Sequence, residues 1–202
     1  MISFDESPKQ RMGETRNPVP ARSGRPRRHD HEYRRCGTAN LFVFLDARNP
    51  WRKGRLTGRR TGADFADCMR ELCDVHFPDA DGIRVVPDNL PAHAPAALPG
   101  AFPAAEARRI LRRTGFHHAP KHAGRPGMVE IGTGVLQRRC LGRRIADRET
   151  LEAGIAAWER QRNDSQAQIN RMFTTEKARE KMARAHPGPD ACETSIKPSR
   201  PL

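Results

Sequence analysis

The sequence predicts an α/β fold, a sheet flanked by helices, and three observations carry that reading. Two short apolar runs stop abruptly at an acid: Ile2-Ser3-Phe4 before Asp5, and Ile83-Arg84-Val85-Val86-Pro87 before Asp88. Each reads as a buried strand that delivers a carboxylate to its C-terminal edge, where α/β sheets keep their chemistry. Between them Phe65, Cys68, Met69, Leu72 and Cys73 recur at helical spacing, the mark of an amphipathic helix packed on a sheet. Strand, hairpin, helix and parallel strand in that order is an α/β sequence of elements.

In chain order, Ile2–Phe4 opens as a strand. Residues Ser7 to Arg28 hold Pro8, Pro18, Pro20 and Pro26 among many basic residues and predict an irregular arm over the sheet. Residues 32–38 lead into the β-rich run Ala39–Leu45, which ends at Asp46. Arg48-Asn49-Pro50 supplies a turn and Trp51–Leu56 the returning strand. Asp46, beside Arg48 and Arg52, is expected to form a surface ion pair. Thr61 and Asp64 have the spacing of a capping box at the start of the amphipathic helix, and Phe77–Gly82 turns the chain into the strand Ile83–Val86. A Pro/Ala-rich break follows Asn89.

Pro103–Arg113 predicts a short helix with Phe102, Ala107, Ile110 and Leu111 inward, and Phe116–Ala119 a last strand. Met128–Leu141 predicts a helix that carries Glu130 in its first turn and packs through Val129, Leu136 and Cys140. Asp147 caps another helix running to Arg162, anchored by Leu151, Ile155 and Trp158, and Thr174 or Thr175 starts a final one. One domain over 1–186 and a disordered tail over 187–202 are expected.

The balance of 37 Lys+Arg against 24 Asp+Glu gives a net charge of +13 over 202 residues, a surface that expects a polyanion. Arg108, Arg109, Arg112 and Arg113 form one helical cluster and Arg138, Arg139, Arg143 and Arg144 another. Their spacing fits either a solvated helix face or a nucleic-acid contact. No run approaches the length of a membrane span and no signal-peptide pattern opens the chain, so a cytoplasmic protein is expected. The five cysteines form no Cys-x-x-Cys pair and read as reduced thiols. His117, His118 and His122 lie close together, but no cysteine pair stands beside them at zinc-ligand spacing.

Asp5, Asp88 and Glu130 are the acids that matter most: two strand-end aspartates and a helix-borne glutamate meet the requirement of a two-metal phosphoryl-transfer site, since Mg²⁺ takes hard oxygen ligands. The ordered fragments Phe4-Asp5-Glu6-Ser7-Pro8-Lys9-Gln10, Gly37-Thr38-Ala39-Asn40-Leu41-Phe42, Asp88-Asn89-Leu90 with His93, Pro120-Lys121-His122-Ala123, Met128-Val129-Glu130 and Phe173–Arg179 together resemble the catalytic half of transposases from the six-thirty family of bacterial insertion sequences, relatives of the mariner transposons. The resemblance implies a ribonuclease-H-like mixed sheet flanked by helices and a metal-binding triad of Asp5, Asp88 and Glu130. It further implies two Mg²⁺ ions, replaceable by Mn²⁺, and DNA strand cleavage and strand transfer at transposon ends and target. Asn89 and His93 then stand beside the second aspartate, where they orient a carboxylate or touch the phosphate. Lys121 joins the two arginine clusters as a DNA contact.

The family's helix-turn-helix region is expected from an upstream polypeptide, with a homodimer as a further partner and the bacterial nucleoid as the location. Some features instead fit a decayed, inactive remnant. Gly127 stands where the family has an asparagine N-cap, and Gly132 and Gly134 weaken the helix of Glu130 by about 1 kcal/mol each relative to alanine. Pro87 withdraws a backbone donor from a strand placed centrally. A third reading, a basic nucleic-acid-binding protein with merely structural acids, meets an electrostatic objection: three converging carboxylates repel phosphates unless metal neutralises them.

Overall fold

The computed structural model describes residues 1–46, 48–87, 93–118, 128–168 and 175–182. The chain divides into two compact units, Met1–Ile169 and Asn170–Leu202.

The first unit is built on a five-stranded mixed sheet. Its strands are β1 (Ile2–Glu14), β2 (Tyr33–Asp46), β3 (Arg52–Thr57), β4 (Ile83–Val86) and β5 (Thr114–Phe116), in the spatial order β3-β2-β1-β4-β5. The first three form an antiparallel meander, whereas β1, β4 and β5 run parallel. Parallel neighbours need a crossover, and the helices α1 (Gly62–Glu71), α2 (Ala97–Ala101) and α3 (Ala104–Arg113) lie in those crossovers. The α/β class and the mixed sheet with flanking helices are as the sequence predicts.

Alternation along β1 and β2 divides the core in two. Ile2 and Phe4, with Phe42 and Phe44, face a layer made of Phe65, Cys68 and Met69 from α1, Leu72 and Cys73 from the turn that follows it, Leu98 from α2, and Ala107 and Ile110 from α3. Ala39, Leu41 and Val43 face the opposite layer, formed by α4 (Met128–Leu136) and α5 (Arg148–Asp164) through Val129, Leu136, Leu141, Leu151, Ile155 and Trp158. Both faces of β2 are therefore buried, which explains its unbroken apolar run. Local signals set the helix starts: Thr61 and Asp64 close the capping box of α1, and Asp147 accepts from the Thr150 N–H at the start of α5. α1 and α4 each end in a π-helical turn, Leu72–His76 and Gln137–Leu141.

Several expectations are corrected. Ser7–Glu14 is not part of an irregular arm but continues β1, paired with β2 as far as Glu14↔Tyr33. Pro8 is tolerated because, among the described residues, β4 pairs only with Ile2 and Ser3, so that β1 has one neighbour, β2, where Pro8 lies. A register shift between Gln10 and Met12, with Gly37 opposite at φ 94°, bends the ribbon. The arm proper is a narrow loop held by the bridges Val19↔Arg28 and Arg22↔Arg25 and turned by Gly24 at φ 70°.

Pro87 lies beyond the end of β4, so no ladder bond is lost to it. The Pro/Ala-rich segment contains α2, whose Leu98 is fully buried. The last strand is Thr114–Phe116, two residues earlier than Phe116–Ala119 suggests, because Thr114 leaves α3 directly into extended backbone. Asp46 makes no ion pair with Arg48 or Arg52; it is buried and accepts from the Arg48 N–H at 2.9 Å and the Asn49 amide at 2.8 Å, holding the β2–β3 turn. Burial raises its carboxyl pKa, but these hydrogen bonds outweigh that and leave it below the ordinary value. Arg52 is buried too, with its guanidinium on the Ala167 carbonyl and over Trp158.

In the second unit, α6 spans Thr175–Met182, in agreement with the later of the two predicted starts. The tail 187–202 lies outside the described residues. Among those residues no helix is long and apolar enough to cross a membrane.

Candidate functional site

Asp5 lies on β1 opposite Val43 and is half-buried. Cross-strand partners share a face, and Val43 belongs to the core under α4 and α5, so Asp5 is on that face of the sheet. Ser3, Ser7 and Lys9 follow it by the two-residue period. Glu130 occupies the first turn of α4 and is exposed, and α4 packs against β1 and β2. Asp88 and Asn89 lie outside the described residues, as does Lys121. β4 pairs with β1 through Ile2↔Val85 and Ser3↔Val86, so its described part ends two residues before Asp88.

The opposite face carries an arrangement of which the motif reading singled out only His93. Glu6, one residue after Asp5, has a side chain only 3% exposed, with one carboxylate oxygen 3.3 Å from His93 Nε2 and the other 3.3 Å from Arg60 Nη1. His93 is fully buried, its ring edge-on to Phe4 at 5.0 Å and Phe42 at 5.9 Å and tilted against Phe65 at 5.4 Å. An imidazole in an aromatic core calls for a polar neighbour, and the Glu6 carboxylate stands at ion-pair distance from Nε2 without hydrogen-bond geometry to it. The contact joins β1 next to Asp5 with the segment that follows Asp88. The signal was present in the sequence: along the face of Ile2 and Phe4, the next inward position is a glutamate, a charge where the period calls for an apolar side chain.

The arginines divide by partner. Arg109 grips Asp74 with both terminal nitrogens, at 2.5 and 2.8 Å; this hydrogen bond comes first in holding the Asp74 carboxyl below its ordinary pKa, and it raises that of Arg109. Arg113 donates to the carbonyls of Phe77, Pro78 and Ala80 and closes the end of the α1 extension. Arg144 pairs with Glu14 and donates to the carbonyls of Asp30, His31 and Glu32 while lying over Tyr33, pinning the arm to the β1–β2 ribbon. Arg108, Arg112, Arg138, Arg139 and Arg143 are exposed and make no ion pair among the described residues.

His117 and His118 are exposed, and among the described residues no three His, Cys, Asp or Glu side chains gather as a metal site. Cys36, Cys68, Cys73 and Cys140 are free thiols. Burial pushes Cys68 up to about 12 and raises Cys73 and Cys140 as well, so these thiols stay protonated and poorly nucleophilic.

A family model described as DDE superfamily endonuclease matches residues 1–152. Among solved structures, the chain is similar to the crystal structure of the Mos1 strand transfer complex, with 15% identity and a TM-score of 0.47 over 82% of this chain and 48% of that one. The chain thus spans about half the length of that relative. No curated protein matches.

Proposed function

This chain belongs to the DDE superfamily endonucleases, and from that premise we propose that it is the catalytic domain of a transposase of the six-thirty family of bacterial insertion sequences. On this reading it cleaves and rejoins DNA strands, with Asp5, Asp88 and Glu130 as ligands of two Mg²⁺ ions.

The observation that carries the reading is the run of α4 along β1. Lys9 donates through Nζ to the Leu141 carbonyl, and three residues further along β1 the Met12 N–H donates to the Ile145 carbonyl at 2.9 Å. These two tethers give the direction: followed backwards from Leu141, the π turn and α4 return toward the start of β1. The eleven residues from Glu130 to Leu141 span about 16 Å at ~1.5 Å each, and the four from Asp5 to Lys9 span about 14 Å at ~3.4 Å each. These matching lengths, with α4 packed on β1, support a reading in which Glu130 comes back toward Asp5 on the face they share.

The donors fit the ions in kind, since carboxylate oxygens are what Mg²⁺ takes and neither thiol nor imidazole is required. Two divalent cations bound there would supply Lewis-acid stabilisation of the attacking and leaving oxygens in an in-line displacement. Glu6, next to Asp5, and His93 link β1 to the segment that follows Asp88 in sequence, so His93 is a positioning residue. Arg112, Arg138, Arg139 and Arg143, without an ion pair among the described residues, present guanidinium groups to phosphates, joined by Arg108, whose Nε donates to the Ala104 carbonyl of its own helix at 3.1 Å, while Arg109, Arg113 and Arg144 hold the scaffold that carries them.

Two arguments for a decayed remnant lose their force. Pro87 falls outside β4, and α4 forms despite Gly132 and Gly134, with Thr133 bonded back to Val129 at 3.0 Å. The test is nicking of a labelled supercoiled plasmid with Mg²⁺ or Mn²⁺ by the chain, by Asp5→Asn, by Asp88→Asn and by Glu130→Gln. Each variant keeps the side-chain shape and removes an anionic ligand, so weak nicking by the parent and none by the three variants is expected. Nicking that survives in Asp5→Asn overturns the assignment.

A further inference from the structure

A cleft of about 770 Å³ opens between the β1–β2 ribbon, the arm and the turn after α4, and its wall carries Lys9, Arg27, Arg138, Arg143 and Arg144 against one acid, Glu14. Arg144 already neutralises Glu14. Lys9, Arg27, Arg138 and Arg143 have no carboxylate partner among the described residues, and three of them, the arginines, are exposed. Burial lowers the pKa of Lys9, which is fixed in place by the Leu141 carbonyl.

Four cations facing one concave surface repel each other, and with no carboxylate partner among the described residues they draw in an outside anion. The walls are also rigid. The arm is bridged within itself and bolted down by Arg144, the turn Gln137–Leu141 continues α4, and Met12 is tied to Ile145. A cleft with its backbone tied down and its walls lined by positive side chains suits a regular polyanion better than a flexible acidic peptide, which loses more freedom on binding.

We propose that this cleft is a groove for the DNA backbone, in which Lys9, Arg27, Arg138 and Arg143 hold consecutive phosphates of one strand on the same face as Asp5. The proposal rests on the DNA-processing reading for its ligand class. Lys9 and Asp5 share a face of β1 four residues apart, which sets the mouth of the groove roughly 14 Å from the acid. At ~3.4 Å of rise per base pair that is about four steps of duplex. The groove would grip the duplex beside the reacting phosphate and set its register by charge and shape, without reading sequence.

The experiment measures binding to a 30-base-pair duplex of arbitrary sequence in EDTA, over a series of salt concentrations, in the Asp5→Asn background so that no cutting intervenes. Replacing Arg27, Arg138 and Arg143 together by glutamine should reduce the slope of log K against log salt by about 3, close to one per lost phosphate contact. Replacing the same three by lysine should restore most of that slope, and a cooperative thermal melt shows that each variant is folded. If the glutamine triple fails to melt cooperatively, Arg143→Gln alone should reduce the slope by about 1. An unchanged slope in a folded glutamine variant overturns the groove. Loss of slope in a chain that nicks no plasmid under any metal leaves the groove standing and sinks the catalytic reading; normal nicking with an unchanged slope does the reverse.

Discussion

Gly54 on β3 is the position where the packing of the two α/β layers is most sharply testable. A Cβ placed there would stand 2.6 Å from Ile155 Cγ2 on α5 and 3.6 Å from Leu41 Cδ1. The first contact is inside any real carbon–carbon approach, and the atom it meets belongs to a β-branched side chain whose χ1 is nearly fixed on a helix. Ile155 is itself buried, so it has no solvent to move into. Gly54→Ala must therefore push α5 away from β3 against the Glu159 contacts with Lys53 and the Gly54 N–H. Overpacking of this kind costs about 1–3 kcal/mol. For a unit of this size each kcal/mol lowers Tm by roughly 2–4 °C, so a fall of about 2–12 °C is expected by calorimetry. Ile155→Ala alone should cost about 2–5 kcal/mol through the cavity it leaves. In the double variant the added methyl occupies part of that cavity, and the total should fall short of the sum of the singles by about 1 kcal/mol or more. Additive singles, or a Gly54→Ala chain as stable as the parent, would refute the close approach of β3 and α5.

Three further outcomes are expected. Asp46 has a folded-state pKa below its unfolded value, so its contribution is fully present above the unfolded pKa of about 3.9 and is lost as pH falls through the lower, folded one; in urea titrations Asp46→Asn should be destabilised by about 1–2 kcal/mol at pH 7, with the difference from the parent shrinking below pH 4. Glu6→Ala removes a carboxylate that stands at ion-pair distance from a fully buried imidazole and should cost about 1–3 kcal/mol; if Glu6 also positions the acids, nicking by Glu6→Gln, which keeps the shape, should need more Mg²⁺ for half-maximal rate than the parent, and an unaltered metal dependence would confine Glu6 to stability. Arg144→Ala should release the arm, read as faster protease cleavage between residues 15 and 32 while the core melts as before.

The parts of the fold that were legible in the sequence are those set by neighbours along the chain. The capping box of Thr61 and Asp64, the Asp147 cap, the spacing of Phe65, Cys68, Met69 and Leu72, and the apolar run of β2 each lie within a few residues and follow from helical or strand period alone. The order of these elements was enough to give an α/β sheet, and the family fragments drew attention to Asp5 and Glu130.

Only the tertiary structure decided where residues distant in sequence meet. It carried β1 on through Pro8 to Glu14, because a proline is harmful only where the strand on its N–H side needs that donor, and at Pro8 β1 is paired on one side alone among the described residues. It gave Asp46 the N-terminal ammonium in place of Arg48 or Arg52 as its ion-pair partner and made it the acceptor that holds a turn, seated His93 against Glu6, and separated the arginines that pin the scaffold from those that face outward. The physical reason is the same in each case. A periodic pattern records which side of an element is buried, whereas the partner of a buried charge or a free guanidinium is chosen by elements that come together only when the sheet closes.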